Sequence, residues 1–326
     1  MMNKSLFLDA LDKKNRSGMP PLWELEFHLW GKFGKGRFCV GVDFEKLSHA
    51  QKERALQENV DTMAAVCDLL SFSAVTAPGG YWEVAPGIPA WYYLPEEYRL
   101  RQIDLMKKRL GDDVAIVVNV GGVMAMPEAH EYMDFSIKLM TEPDQIDEIA
   151  RAKFQNALPS IDWCSDHGVD VVLTASDIAD GHGLYFSPEQ LDRFVFPYLD
   201  RWADYAHAKQ MRAIMHTDGN INAVVDRIAA SGVDGLQAID STAHMDIVDL
   251  AGRYRDALCV CGNVDCGLMQ QASADDVYAA TLDLVGQLQA APNFVLGASN
   301  ALQVETPAEN YLALVRAARA CCNSAE

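Results

Sequence analysis

Short runs of apolar and β-branched residues recur along the chain, and each run ends in a polar residue or in glycine. Near-continuous apolar runs of this kind are typical of parallel strands that are covered on both faces. The pattern therefore predicts eight parallel strands, at residues 21–27, 69–77, 114–122, 169–177, 212–219, 233–240, 257–265 and 293–300.

Helical patterns separate these runs, and several of them have clear start signals. One helix should begin after Ser187, with Pro188 in its first position and Gln190 in its third, which is a capping box. Pro197 lies inside the same pattern and should kink the helix, because proline lacks the N–H that a helix interior needs. The N-terminal residues form a further, short amphipathic pattern before the first strand.

Strand and helix alternate through all eight units, and no low-complexity linker interrupts them. This order predicts an α/β protein, a single (β/α)8 TIM barrel with an N-terminal helical extension, and one domain over residues 1–326. A doubly wound open sheet is the structural alternative, although no GxGxxG motif follows the first run.

The charge balance disfavours two classes of partner. The 46 acidic and 27 basic residues give a formal net charge of −19, whereas nucleic acids and anionic membranes are bound by basic patches. No run reaches the roughly 18 apolar residues of a membrane span, and the N-terminus is unlike a signal peptide. The eight cysteines form no CxxC pair, so we interpret them as reduced thiols of a cytoplasmic protein.

Polar side chains follow the ends of the predicted strands, where TIM-barrel enzymes have their active sites. His216 and Asp218 end the fifth run two positions apart, so both side chains should point to the same face. The pair could form a metal site, an acid–base pair or a local hydrogen bond. The other polar residues at strand ends are Glu24, Glu26, Asn119, Asp177, Asp240, Asn263, Asp265 and Asn300.

Aromatic residues are concentrated in the first two connections between strands. Residues 77–99 hold too much proline and glycine for a regular helix, which predicts a long loop over the barrel mouth. The aromatic side chains of this loop either line a pocket or only hold the loop in place. The candidate substrate-binding residues are Glu24, Glu26, His28, Trp82, Asn119, His182 and Asn300.

Almost the whole chain resembles the uroporphyrinogen decarboxylase superfamily, which includes the decarboxylase and the corrinoid-dependent methyltransferases. The most specific segments are "SPEQLDRFVFPYL" and "TPAEN", supported by "MHTDGNINAVVDRIAASGVDGLQ" and "LGASNALQVE". The resemblance is closest to the methylcobalamin:coenzyme M methyltransferase-like branch. It implies a (β/α)8 barrel, in agreement with the strand pattern.

The decarboxylase's own catalytic residues are missing from the matching positions. The arginines of its first loop have no counterpart in "ELEFHLWGK". Its aspartate is replaced by Ala74 in "FSAVTAP", and its histidine is replaced by Ala298 in "LGAS". The resemblance therefore points away from porphyrinogen decarboxylation.

The thiol methyltransferases of the superfamily carry zinc on a His-x-Cys motif and a distant cysteine. His216 matches that histidine, Asp218 stands at the first cysteine, and Asn300 stands at the second. The resemblance makes His216 and Asp218 candidate zinc ligands. Oxygen and amide donors replace sulfur, which disfavours the activation of a thiol.

We therefore predict a methyltransferase that moves a methyl group from a small methylated donor, a methoxylated aromatic or a methylamine-like compound. The acceptor implied by the resemblance is Co(I) of a corrinoid carried by a partner protein. Either His216 is the acid, oriented or charged by Asp218 or Asp177, or His216, Asp218 and Glu24 or Glu26 hold zinc. The alternatives are a decarboxylase-like carboxy-lyase for a smaller acid and a non-catalytic binding barrel.

Overall fold

Seven parallel strands form the central sheet of the computed structural model, which describes residues 3–34, 38–79, 83–85, 88–89, 93–127 and 130–323. Two short hairpins lie outside this sheet. In chain order, the strands are β1 (Ala74–Thr76), β2 (Glu83–Ala85), β3 (Ile88–Pro89), β4 (Ala115–Asn119), β5 (Val171–Ala175), β6 (Ala179–Asp180), β7 (Gly183–Leu184), β8 (Arg212–Thr217), β9 (Gly235–Ala238), β10 (Cys259–Val264) and β11 (Phe294–Ala298).

The order of the central sheet is β1-β4-β5-β8-β9-β10-β11, and every neighbouring pair is parallel. The strands therefore follow one another around the sheet in the order of the chain. A doubly wound sheet would reverse its strand order at a switch point, so that alternative is wrong. Seven predicted strands are confirmed, each with narrower bounds than its apolar run.

The predicted first strand, residues 21–27, is not a regular strand. It forms two isolated parallel bridges, Leu22 with Leu296 and Phe27 with Leu302. The segment nevertheless joins the two edges of the sheet. The N–H of Trp23 donates to the carbonyl of Leu296 at 3.0 Å, and the N–H of Ser73 donates to the carbonyl of Leu22 at 2.9 Å. An extended segment thus completes the barrel in place of an eighth strand.

Two features of residues 21–27 prevent a regular ladder. Pro21 has no N–H to donate. Farther along the segment, the N–H of Ala298 donates to the carboxyl group of Glu24 at 2.9 Å and not to a backbone carbonyl. The Glu24 side chain thus accepts the hydrogen bond that a backbone carbonyl would accept in a regular parallel ladder.

Helices surround the sheet and connect its strands, as the pattern predicts. They are α1 (Lys4–Leu11), α2 (Trp30–Phe33), α3 (Gly41–Glu45), α4 (His49–Leu70), α5 (Glu96–Leu110), α6 (Tyr132–Thr141), α7 (Pro143–Asp166), α8 (Pro188–Phe194), α9 (Phe196–Ala208), α10 (Val225–Ala229), α11 (Ile247–Arg253), α12 (Cys266–Gln271), α13 (Ala274–Leu288) and α14 (Ala308–Asn323). None of the helices in the described ranges is long and apolar enough to cross a membrane.

The N-terminal helix α1 confirms the predicted helical extension. Its Phe7 and Leu11 are fully buried and pack with inward-facing residues of the sheet strands, such as Ile214. Cys259 and Cys261 belong to the same buried cluster, as alternate positions of one strand should. These two thiols are part of the apolar interior of the barrel.

Pro197 interrupts its helix more strongly than a kink would. The predicted helix is divided into α8 and α9, which meet at Val195. Proline cannot donate to the preceding turn, and its ring collides with the carbonyl four residues earlier. The capping box at the start of α8 is confirmed, because the hydroxyl of Ser187 accepts from the N–H of Gln190 at 3.2 Å.

The predicted loop at residues 77–99 contains the antiparallel hairpin of β2 and β3, but its last residues, from Glu96, belong to helix α5. The candidate residue Trp82 lies outside the described residues. A second antiparallel hairpin, β6 and β7, follows the end of β5. Both hairpins follow the carboxyl ends of strands, and we call this end of the barrel its mouth. The single domain over residues 1–326 stays a prediction.

Candidate active site

His216 is the centre of the candidate site, near the carboxyl end of β8. His216 is only 5 % exposed. Its Nδ1 lies 2.5 Å from Oε1 of Gln237 on the neighbouring strand β9. The amide nitrogen of Gln237 donates to the carbonyl of Ala298 at 3.4 Å. Because this bond directs Oε1 toward the ring, Nδ1 carries the proton of a neutral imidazole, and Nε2 has a free lone pair.

Two carboxylates face Nε2 of His216. Oδ1 of Asp177, which follows β5, lies 3.6 Å away, and Oδ1 of Asp218, which follows β8, lies 3.8 Å away. Both separations exceed the length of a hydrogen bond. Three acceptor atoms thus converge on one point, where a proton or a cation between them would balance their charge.

Asp218 is held in this position by two hydrogen bonds. Its Oδ2 accepts from the amide of Asn300 at 2.7 Å, and its own N–H donates to Oδ1 of Asp177 at 3.1 Å. Burial raises the pKa of Asp218 above its ordinary value. A positive charge on His216 would oppose this rise and the Asn300 hydrogen bond opposes it, while the charge of Asp177 adds to it.

A glycine turns the chain directly after Asp218. Gly219 has a φ of +86°, in the left-handed region. A Cβ atom at this position would lie only 2.5 Å from the carbonyl oxygen of Asp180 in the hairpin after β5. The sequence "HTDG" therefore permits close contact between the loop after β8 and the loop after β5. This contact brings Asp177 and Asp218 to the same imidazole.

The geometry of the cluster fits a metal ion. The candidate ligand atoms of Asp177, His216 and Asp218 all lie within 4.8 Å of one another. Ligands about 2.1 Å from a tetrahedral zinc ion are separated by roughly 3.4 Å, close to the distances from Nε2. Gln237 occupies the position of the hydrogen-bonding partner that metal-bound histidines commonly have. One nitrogen and two oxygen donors leave a fourth position for substrate.

The predicted glutamate ligands are not part of this group, and Asp177 stands in their place. Glu24 is 3 % exposed, and its carboxyl group contacts the N–H of Ala298 and the hydroxyl of Tyr311, each at 2.9 Å. Burial raises the pKa of Glu24 to about 8. Glu26 instead pairs with Nε2 of His28 at 3.0 Å. Their roles in binding substrate stay predictions.

The remaining sequence candidates lie at different distances from the cluster. Asn300 contacts Asp218 directly. Asn119 ends β4, and its side chain accepts from the N–H of Gly121 at 3.1 Å. The His182 side chain is 99 % exposed and lies 3.7 Å from Asp180, not in the cluster. The substrate-binding roles of Asn119 and His182 stay predictions.

Sequence reasoning missed two residues of the site, Gln237 and Tyr185. Gln237 had a signal, because it is a polar residue within an apolar strand, and strand positions alternate between two faces. Tyr185 lies beside the mouth, where burial first, and then the charges of Asp180, Asp177 and Asp218, raise its pKa. The position of Tyr185 depends on the β6–β7 hairpin, which no local sequence pattern predicts.

A family model described as uroporphyrinogen decarboxylase (URO-D) matches residues 94–321, which is more than half of the chain. The chain belongs to the uroporphyrinogen decarboxylase family. Ala74 and Ala298, which the resemblance sets against the decarboxylase's catalytic aspartate and histidine, are both buried. Ala74 lies before the matched residues, so its correspondence stays a prediction.

Solved structures are similar to this chain at low sequence identity. A methyltransferase from Methanosarcina mazei has a TM-score of 0.64 at 17 % identity, over 97 % of this chain and 98 % of that chain. SacUVDE has a TM-score of 0.49 at 9 % identity, over 93 % of this chain and 98 % of that chain. A D-tagatose 3-epimerase-like protein has a TM-score of 0.48 at 8 % identity, over 78 % of this chain and 91 % of that chain. No curated protein matches the chain in sequence.

Proposed function

We propose that this chain is a methyltransferase that removes the methyl group of a small methylated donor, a methoxylated aromatic or a methylamine-like compound. The acceptor is Co(I) of a corrinoid that a partner protein carries. The observation that supports this proposal best is the convergence of Asp177, His216 and Asp218 on one point at the barrel mouth. The fold shared with the Methanosarcina mazei methyltransferase is consistent with it.

The chemical difficulty of such a transfer is the leaving group. For an ether donor, the C–O bond breaks, and its electron pair stays on oxygen. The methyl carbon is then bound through the electron pair of Co(I), which becomes formally Co(III). An alkoxide or phenolate leaves poorly unless its charge is stabilised as it forms. A divalent cation such as zinc, when bound, supplies that stabilisation as a Lewis acid.

The residues of this chain are suited to hold such a cation. Oε1 of Gln237 accepts a hydrogen bond from Nδ1 of His216, which keeps the proton on Nδ1 and leaves Nε2 free to bind the ion. Asn300 fixes one oxygen of Asp218 and leaves the other directed at Nε2. The same set also serves the second form of the proposal, in which a protonated His216 donates to the departing oxygen.

The carboxy-lyase alternative has less support. A decarboxylase must bind the carboxylate of its substrate, and Asp177 and Asp218 repel an anion unless a cation lies between them. The resemblance sets Ala74 and Ala298 at the decarboxylase's catalytic positions. A non-catalytic barrel would leave the convergence of these three acceptor atoms without a chemical role.

Metal content and methyl transfer, measured on the same preparations, test the proposal. Purified protein should bind about one equivalent of a zinc-type divalent ion by elemental analysis. It should also convert free cob(I)alamin to methylcobalamin, followed by visible spectra, in the presence of a methoxylated aromatic donor. His216→Ala should lose both the ion and roughly two to four orders of magnitude in kcat. Substrate KM should change less, because the charge grows mainly in the transition state.

His167→Ala is the matched control, because this histidine follows α7 at the end of the barrel opposite the mouth. It should keep both the metal and the rate. If His216→Ala demethylates the donor at the parental rate, the assignment of the centre is wrong. If His216→Ala loses activity although the wild type binds no metal, the protonated-histidine form of the proposal is favoured.

A further inference from the structure

An exposed apolar face runs along helix α6, next to the barrel mouth. Met133, Ile137 and Met140 are 69 %, 53 % and 76 % exposed, and Tyr132 at the start of the helix is 43 % exposed. Residues at this spacing lie on one side of a helix. Leu139 alone is buried among the residues of this helix. Such a concentration of exposed side chains is typical of an interaction site, whereas single exposed apolar residues are common.

Helix α6 is connected to the candidate active site through direct contacts. The N–H of Met126, in the segment that leads to α6, donates to the backbone carbonyl of Asp177 at 3.1 Å. The ring of Tyr132 packs edge to face on Tyr185, with 6.2 Å between the ring centroids. A molecule seated at the Tyr132 end of the α6 face therefore lies beside the mouth.

The rim of this apolar face carries more acidic than basic side chains, although α6 itself also exposes Lys138. Glu131 is exposed directly before α6, Asp134 is exposed on its first turn, and Glu142 is exposed directly after its last residue. Glu189 lies nearby, since the neighbouring Gln190 donates to the sulfur of Met140 at 3.7 Å. The basic Arg193 of the same region is already paired with Asp144 and Asp147. A complementary partner therefore presents apolar side chains surrounded by lysine or arginine.

We propose that the α6 face is the docking site of the protein that carries the methyl acceptor, and that this protein contacts it with an apolar surface edged by basic residues. The inference rests on the proposed function. An acceptor bound to another protein reaches a donor at the mouth only if that protein docks around the mouth. A second copy of this chain fits less well, because a two-fold contact pairs each patch with itself. The acidic rims of two copies would then repel each other, in a chain of net charge −19.

The test compares a protein-bound acceptor with a free one. The probes are a purified corrinoid-binding protein encoded beside the gene of this chain, with and without cobalamin, and free cob(I)alamin. Met133→Asp and Met140→Asp should each raise the Kd for the cobalamin-free protein, and the KM for its loaded form, at least about tenfold. Their rates with free cob(I)alamin should equal that of the wild type. Leu69→Asp is the matched control, because Leu69 is 52 % exposed near the end of α4, away from the mouth.

Charge gives a second readout of the same surface. The wild-type Kd should rise with ionic strength, because salt screens an acidic rim from a basic partner. Glu131→Gln with Asp134→Asn should reduce this salt dependence and leave the rate with free cob(I)alamin unchanged. A Kd that responds equally to Leu69→Asp, or to none of these variants, overturns the docking proposal. So does the absence of binding to the wild type.

The remaining outcomes separate this inference from the proposed function. If the wild type binds the corrinoid protein through α6 but transfers no methyl group to free cob(I)alamin, the docking site stands and the assigned reaction fails. If sedimentation shows a dimer that Met133→Asp dissociates, the face joins two copies of this chain, and the docking proposal is wrong. If the α6 variants lose activity equally with both acceptors, the helix supports the active site and docks no partner.

Discussion

Gln237 acts on the candidate site through His216 and not by itself. Its amide has two fixed partners, the carbonyl of Ala298 and the Nδ1 proton of the imidazole. This arrangement leaves Nε2 as the atom that faces Asp177 and Asp218. A partner that fixes the tautomer of a ligand histidine also makes the ring a better donor. Gln237 is therefore a positioning residue of the proposed metal site.

Gln237→Met should weaken metal binding about 10- to 100-fold, the usual effect of removing the partner of a ligand histidine. Methionine has a similar volume but leaves the Nδ1 proton without an acceptor, so the tautomer is no longer fixed. Competition with a chelator of known affinity measures the change. Gln102→Met is the matched control, since Gln102 is also buried and accepts from Asn59 far from the cluster. Equal metal affinities for the two variants would contradict the positioning role.

The candidate cluster could be predicted in part from the sequence. The alternation of side chains along a strand put His216 and Asp218 on one face, and the convergence of strand ends at one edge brought Asp177 to the same place. The exact partners could not be predicted. Asn300 bonds to Asp218 across 82 positions of the chain, and no local pattern specifies a contact between residues that far apart.

At the scale of elements, the closure of the barrel depends on a buried carboxyl group. Glu24 contacts the N–H of Ala298 on β11 and the hydroxyl of Tyr311 on α14, so it joins the first segment to the last strand and the last helix. Burial raises its pKa to about 8. The protonated form is therefore the one that the fold favours at neutral pH.

This shift predicts a loss of stability as the pH rises. Glu24 has a folded pKa of about 8 against an ordinary value of 4.5, so its unfavourable effect begins above about pH 4.5 and is complete above about pH 8. The shift corresponds to up to about 5 kcal/mol at 1.36 kcal/mol per pKa unit. Glu24→Gln keeps a neutral group of the same shape. Its advantage in free energy of unfolding, measured by urea denaturation, should be small near pH 5 and should grow up to about pH 8.

Parallel pH profiles for Glu24→Gln and the wild type would show that Glu24 ionises without cost in the folded state. Glu309→Gln serves as the control for the loss of one carboxyl group, because Glu309 is exposed on α14, the same helix as Tyr311. The unfolding free energy of this variant should follow that of the wild type across the pH range.

Seven strands of the sheet could be predicted from apolar runs, but the closure of the barrel could not. The run at residues 21–27 has the composition of a strand. The backbone N–H of Ala298, however, donates to the side chain of Glu24 and not to a backbone carbonyl of this run. The second run is shortened from its start, because α4 continues to Leu70 and Ser71 ends it in the left-handed conformation, with φ of 63°. A tertiary contact prevents the first run from forming a regular strand, and the end of a helix shortens the second run. Apolar composition alone predicts neither effect.

At the scale of the whole molecule, charge is distributed very unevenly between the two signs. The excess of acidic residues gives a net charge of −19. Net charge of this size destabilises the compact state through self-repulsion. Surface ion pairs such as Arg227 with Asp200 act in the opposite direction, but single exposed pairs stabilise proteins by only about 0–1 kcal/mol.

The folded protein should therefore become more heat-stable when salt screens its charges. Raising ionic strength from about 0.01 M to about 0.15 M shortens the Debye length from roughly 30 Å to 8 Å, which weakens repulsion between distant carboxylates more than attraction within close pairs. The Tm from differential scanning calorimetry should rise over this range at about pH 8. The rise should be smaller near pH 5.5, because the net charge decreases toward the sequence pI of about 4.7. A Tm that falls with salt at pH 8 would mean that ion pairs, and not net charge, dominate the electrostatics of this barrel.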